Sequence, residues 1–181
     1  MRVAVTGGIA EGKSTVMGYL RSLGQSTASA DEFAREVFQL DEVQEAISQR
    51  LGLKHPAPRE EVRSAISGNP EIRRWLNTIT HPRIFERIEN SGADWIEVPL
   101  LFEACLQGSF DSIWVVTCGE IEQLSRLAAR LGDEAAARKM MGTQLSTSIK
   151  IAFADEIIRT NLSETTVKSL VRQGIEREST K

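Results

Sequence analysis

Eight residues constrain this chain more than any others: Gly7-Gly8-Ile9-Ala10-Glu11-Gly12-Lys13-Ser14 fits the pattern G-x-x-x-x-G-K-[ST]. A short apolar run, Arg2 to Thr6, precedes it. A segment with helical spacing at Val16, Leu20 and Leu23 follows and ends at Gly24. A strand, a glycine-rich turn and a helix start in that order make an anion cradle. Glycines let backbone N–H groups turn inward, and the helix adds its positive dipole end. The phosphate-binding residues are expected to be Gly8, Ile9, Ala10, Glu11, Gly12, Lys13, Ser14 and Thr15, with Lys13 the point charge on the outer phosphates. Ser14 is the expected magnesium ligand. Glu11 is expected to point outward, because a carboxylate facing bound triphosphate would be repelled.

The rest of the chain fits a parallel α/β sheet. Ser26–Ala30, Ala93–Val98, Ser112–Thr117 and Glu156–Thr160 read as further strands, with helices at Glu120–Leu131 and Leu162–Gln173. Between the second and third strands lies a helical stretch. Asp31–Phe38 and Asp41–Leu51 read as helices, the latter with Asp41 and Gln44 at capping-box spacing and Gly52 as a stop. His55–Pro58 resembles a loop hinge. Asn69 suits a helix cap and Pro70 a first helical position, with Pro82 expected to end or kink that helix. Glu176–Lys181 reads as disordered.

Composition removes several classes. With 22 basic and 25 acidic side chains the net charge is -3, so no global field attracts nucleic acid or an anionic membrane. No apolar run approaches the roughly 20 residues of a membrane span, and no export leader follows Met1, so a cytoplasmic protein is expected. Cys105 and Cys118 lack disulfide-framework or metal-ligand spacing and read as small buried hydrophobes.

A phosphate loop alone does not separate a switch, a motor and a kinase. The Asn-Lys-x-Asp base-reading motif of guanine-nucleotide switches is absent, and the chain is short for a motor. The sequence resembles the dephospho-coenzyme A kinase family in GGIAEGKST, SADEFAREV, ITHPRI, VPLLFE, and the stretch from Gln144 through Lys150 to Ala154-Asp155. These landmarks span residues 3 to 161.

The resemblance implies a three-layer P-loop kinase fold as one domain over 1–181. It has about five parallel strands, an acceptor-binding helical insertion at about 32–91 and a short lid at about 124–150. It also implies ATP and Mg²⁺ as cofactors and transfer of the γ-phosphate to the ribose 3'-hydroxyl of dephospho-coenzyme A, the last step of coenzyme A synthesis. No membrane or nucleic-acid partner is implied. Asp31 matches the family's base, although Asp followed by Glu32, Phe33 and Ala34 is also a common helix start. Arg35, one turn on, can meet a substrate phosphate or pair with Asp31, or be ordinary surface charge. His81 falls beside the acceptor, or serves as a core histidine. Leu100, Leu101 and Phe102 line an apolar wall for the acceptor or pack in the core, and Glu103 contacts the acceptor's polar groups or magnesium-bound water. Arg126, Arg130 and Arg138 are the lid arginines, with Arg130 first among them, unless they are solvated surface charge.

The sequence also departs from that family. Ser29 stands where a second aspartate is usual, Ala10 and Glu11 replace a smaller pair, and the stretch from Gly52 to Glu60 is short, which trims contacts to the pantetheine arm. Two alternatives stay open: a P-loop kinase for another acceptor, and a nucleotide-binding regulator that no longer transfers phosphate.

Overall fold

The computed structural model of the chain describes residues 1–180. Five strands, β1 (Val3–Thr6), β2 (Thr27–Ser29), β3 (Trp95–Glu97), β4 (Ser112–Thr117) and β5 (Glu156–Arg159), form one parallel sheet in the order β2-β3-β1-β4-β5. Parallel neighbours require crossover connections, and helices provide them. Those helices are α1 (Lys13–Ser22), α2 (Ala30–Phe38), α3 (Asp41–Leu51), α4 (Arg59–Ser67), α5 (Pro70–Asn90), α6 (Glu120–Leu131), α7 (Glu134–Met141), α8 (Thr147–Ile151) and α9 (Glu164–Glu178).

All residues of β1 and β4 are buried, as expected of central parallel strands covered on both faces. In register, Val5 lies opposite Glu97 of β3 on one side and Trp114 of β4 on the other. The chain leaves β1 toward β2 and β3, whereas β4 and β5 build the opposite half. The loop after β1 therefore opens where the strand order reverses, the place at which open α/β sheets bind ligands.

One sheet face packs against α1 and α9: Val3, Val5, Trp95, Trp114 and Ile158 meet Val16, Met17, Leu20, Val167 and Val171. The two indoles meet edge to face at 4.5 Å and 77°. A β-carbon at Gly174 would run into the Trp114 ring, so the glycine lets α9 approach the sheet. Trp114 Nε1 and Ser112 Oγ both donate to Glu178 Oε1, at 2.9 and 2.6 Å. These bonds anchor the last turn of α9. The disorder expected from Glu176 onward is corrected accordingly: the helix runs to Glu178, and Lys181 lies outside the described residues.

Residues 30–92 form a second compact unit, distinct from the sheet unit of residues 1–29 and the chain from Ala93 onward. Its core is Val37, Val43, Ile47, Ala57 and Val62, flanked by Phe38, Trp75, Leu76 and Ile79. Three sequence expectations change here. Asp41 and Gln44 make no capping box, because Gln44 is buried and bridges Phe38 O to Ala57 N while Asp41 turns to His55 at 3.0 Å. The same bonds pin the segment expected to be a hinge. Pro82 does not end its helix, and α5 continues to Asn90. Arg83 donates from its guanidinium to the Ile79 carbonyl at 2.8 Å, supplying a donor in the turn that a proline ring disrupts. At the other end of α5 the expected cap holds: the Asn69 side chain accepts from the N–H groups of Glu71 and Ile72.

Candidate active site

The loop from Gly7 to Gly12 connects β1 to α1. Gly12 precedes the helix with φ 94°, a left-handed conformation suited to glycine, and Ala10 adopts φ 62°. No side chain caps the start of α1, and its first turn carries no acidic residue. Its first N–H groups and positive dipole end are thus offered to an anion. Lys13 Nζ donates to the carbonyls of Gly7 and Gly8 at 3.0 and 2.8 Å, so the ammonium lies across the loop. Ser14 and Thr15 are exposed on the first turn.

Behind this cradle the loop is braced by residues far away in sequence. Gln123 of α6 donates to the Ile9 carbonyl, and Gln144 accepts the Ile9 N–H, each at 3.0 Å. Thr160, just after β5, donates to the Glu11 carbonyl at 2.6 Å. Glu11 itself is not turned outward. It is 1% exposed, and its carboxylate accepts from the Gly8 N–H, the Thr117 hydroxyl and the Thr147 hydroxyl. Repulsion from phosphate was the reason to expect it outside; three donors inside the protein outweigh solvation by water. A β-carbon at Gly8 would strike the side-chain ends of Gln123 and Glu11, so a larger residue there would displace these bracing groups. Beside the loop opens a cavity of about 470 Å³ whose lining includes Gly8, Glu11, Gln123, Arg138, Gln144 and Thr147.

Of the expected lid arginines, only Arg138 lines this cavity, and its guanidinium pairs with Glu134 of the same helix. Arg126 is committed elsewhere: it donates to Glu122 at 2.8 Å and to the Thr160 carbonyl at 3.0 Å, bracing the residue that braces the loop. Arg130 is exposed in the last turn of α6.

The VPLLFE segment continues from β3, with Val98 donating to the Val5 carbonyl. Leu101 is fully buried, which removes it from any exposed acceptor wall. Phe102 meets Phe153 with ring centroids 5.6 Å apart and the planes tilted by 43°, and Leu100 is exposed. Glu103 meets the ammonium of Lys150, a lysine with no exposed side-chain surface, at 2.9 Å and also accepts the Leu145 N–H. Burial pushes the Glu103 carboxyl upward, but hydrogen bonds from Lys150 and the backbone, with the lysine's charge, outweigh it and hold the carboxyl below its usual range. Glu103 thus ties the segment after β3 to α8.

In the second unit Asp31 and Arg35 are exposed on α2. Asp31 lies within the first turn and not at the cap, because α2 begins at Ala30. Arg35 donates to the Asp31 carbonyl at 3.2 Å, leaving the carboxylate to other partners. His81 is half-buried within α5, and burial lowers its pKa. Cys105, expected inside, is exposed; Cys118 is buried.

Several residues that brace this site carried no sequence motif: Thr117, Gln123, Thr147 and Thr160. Close by in the sheet, Glu97 ends β3. Glu97 lies level with Val5, two residues before the loop, and with Ser29 of β2 on its other side. By strand alternation it shares the sheet face of Trp95, the face that α1 covers. The signal available in the sequence was an acidic residue at the end of an otherwise apolar strand. Among the described residues no cluster of three or more His, Cys, Asp or Glu could hold a metal by itself.

Comparison with known proteins identifies the lineage. The family model described as dephospho-CoA kinase matches residues 1–166. The dephospho-CoA kinase of Carboxydothermus hydrogenoformans is 37% identical over 174 residues, covering 86% of this chain and 84% of that protein. Among solved structures, the dephospho-CoA kinase of Campylobacter jejuni matches with a TM-score of 0.70 and 26% identity, over 99% of this chain and 97% of that one. TT1252 from Thermus thermophilus matches with a TM-score of 0.84 at 22% identity, over 98% and 97%, a likeness that speaks for the fold. The chain belongs to the dephospho-CoA kinase family.

Proposed function

We propose that this chain transfers the γ-phosphoryl group of ATP to the ribose 3'-hydroxyl of dephospho-coenzyme A, yielding coenzyme A and ADP. The observation that carries the reading is the uncapped start of α1 with Lys13 lying across the loop, in a chain of this family. In phosphoryl transfer the protein contributes mainly position and charge. The N–H groups of the loop and the first turn of α1 receive the phosphate oxygens, and Lys13 moves from the Gly7 and Gly8 carbonyls onto the outer phosphates. Asp31 orients the acceptor hydroxyl and takes its proton as the new P–O bond forms and the bond to ADP breaks. Arg138, on the wall of the cavity, is the lid arginine best placed to meet a phosphate. Magnesium, when bound with the nucleotide, supplies charge neutralisation at the β- and γ-phosphates; Ser14 and Glu97 are the residues that would hold it, directly or through its waters. The site belongs to a cytoplasmic enzyme on this reading, and no helix among the described residues is long and apolar enough to cross a membrane.

The test is ATP consumption with magnesium, in the presence of dephospho-coenzyme A and, separately, of nucleoside monophosphates and other cofactor precursors. Turnover with dephospho-coenzyme A alone is expected. Turnover with a different acceptor would keep the kinase and discard this substrate; no turnover would favour a nucleotide-binding regulator.

A further inference from the structure

Glu11 is a buried carboxylate inside a loop that receives a polyanion, and the mechanism above does not use it. Its partners show what it does in the fold. Oε1 accepts the Thr117 hydroxyl at 3.0 Å, and Oε2 accepts both the Gly8 N–H and the Thr147 hydroxyl. The Thr117 hydroxyl also accepts from the Gly119 N–H at 3.1 Å, and because an ionised carboxylate only accepts, its own proton points at Glu11. Through one side chain the beginning of the loop is fastened to the end of β4 and to the first residue of α8, which lies in the return arm of the expected lid region. Gly8 leaves room for this arrangement.

We infer that Glu11 is a positioning residue. Its carboxylate holds the loop in its phosphate-receiving shape before nucleotide arrives and links that shape to the position of α8. The inference rests on the reading that the loop binds ATP. A plain electrostatic view gives the opposite sign, since a negative charge near the triphosphate would weaken binding and its removal would tighten it. The two accounts are therefore separable by one substitution. Glu11→Gln keeps the shape and removes the charge; its amide nitrogen must face either the Gly8 N–H and Thr147 hydroxyl, both donors, or the Thr117 hydroxyl, whose proton must then turn away, and in either case the bonds lose the charge that strengthens them.

The experiment is calorimetric titration of MgATP into the wild type, Glu11→Gln, Thr147→Val and the double variant, with steady-state kinetics and nucleotide-free thermal unfolding on each. Both single variants are expected to weaken ATP binding about 10-fold or more, the scale of one lost hydrogen bond to a charged group. The KM for ATP should rise far more than kcat at saturating ATP falls, and the double variant should bind little worse than the weaker single one, because both remove the same link. Tighter or unchanged ATP binding by Glu11→Gln would overturn the inference. Thr147→Val, which leaves the carboxylate in place, covers the case in which Glu11→Gln does not fold, and unchanged affinity there would equally overturn the link to α8. If the wild type itself fails to bind MgATP, the proposed function fails first and this inference with it.

Discussion

The phosphate loop and the start of α2 carry the two halves of the proposed chemistry and are built in opposite ways. The loop is held by side chains from α6, α8 and the ends of β4 and β5, with Glu11 buried beneath it. At the start of α2, Asp31 and Arg35 are exposed and joined by a single bond from the guanidinium to a main-chain carbonyl. The difference teaches where ordering costs fall. At the loop the chain meets them on folding, so the cradle stands ready for a ligand whose charge would otherwise distort it. At α2 the exposed polar groups have met no such cost, and on the proposed reading an acceptor would meet it by replacing their water.

The strongest way to break this comparison is at Lys13. Lys13→Ala removes the loop's fixed cation, and activity should fall at least 10³-fold together with a loss of measurable ATP binding. Calorimetry and single-turnover kinetics read both. ATP affinity left intact would mean that the backbone cradle alone carries the phosphates. Asp31→Asn should behave differently: kcat lower by about 10²- to 10⁴-fold, with ATP affinity nearly unchanged. A variant that loses ATP binding as well would erase the proposed division between a donor end and an acceptor end.

Legibility in the sequence followed the same division. The loop was readable because its chemistry is written in consecutive residues, and the strand–loop–helix context followed from Val3, Val5, Val16 and Leu20. The inward turn of Glu11 was not readable, because the donors that make burial favourable, Thr117 and Thr147, lie 106 and 136 residues away. Leu101 stayed open between acceptor wall and core for a related reason: an apolar run reads the same in either place, and the fold buries it. Pro82 does not end α5, and the bond from the Arg83 side chain to the Ile79 carbonyl in the same turn carries no signal in the sequence. Helix α8, at 5 residues, is too short to announce itself by periodicity.

A third prediction concerns the tie between the VPLLFE segment and α8. Glu103→Gln leaves the fully buried Lys150 ammonium without its counter-charge and should cost about 3 kcal/mol in chemical denaturation, toward the low end for a buried pair broken from one side. The pH dependence has a definite sign. The folded carboxyl titrates below its ordinary value of 4.5, so its contribution is present above that value and is lost as pH falls through the lower, folded one. Wild-type stability should therefore drop more steeply than that of the variant as pH falls below about 4.5, and parallel curves would remove the pair from the account.

The smallest effect belongs to the second unit and tests whether its stability is separable from the loop. Asn69 caps α5 by accepting the N–H groups of Glu71 and Ile72 at 3.0 and 3.2 Å. Asn69→Ala should cost about 1 kcal/mol, the usual value of a lost cap. Hydrogen exchange should place that loss in the first turns of α5, because the orphaned N–H groups lie there and the unit has its own core around Val43, Ile47 and Val62. ATP affinity should not move, since Gln123, Gln144, Thr117, Thr147 and Thr160, the groups named as bracing the loop, lie outside residues 30–92. A weakened ATP site in this variant would show that the loop's readiness depends on the helical unit after all.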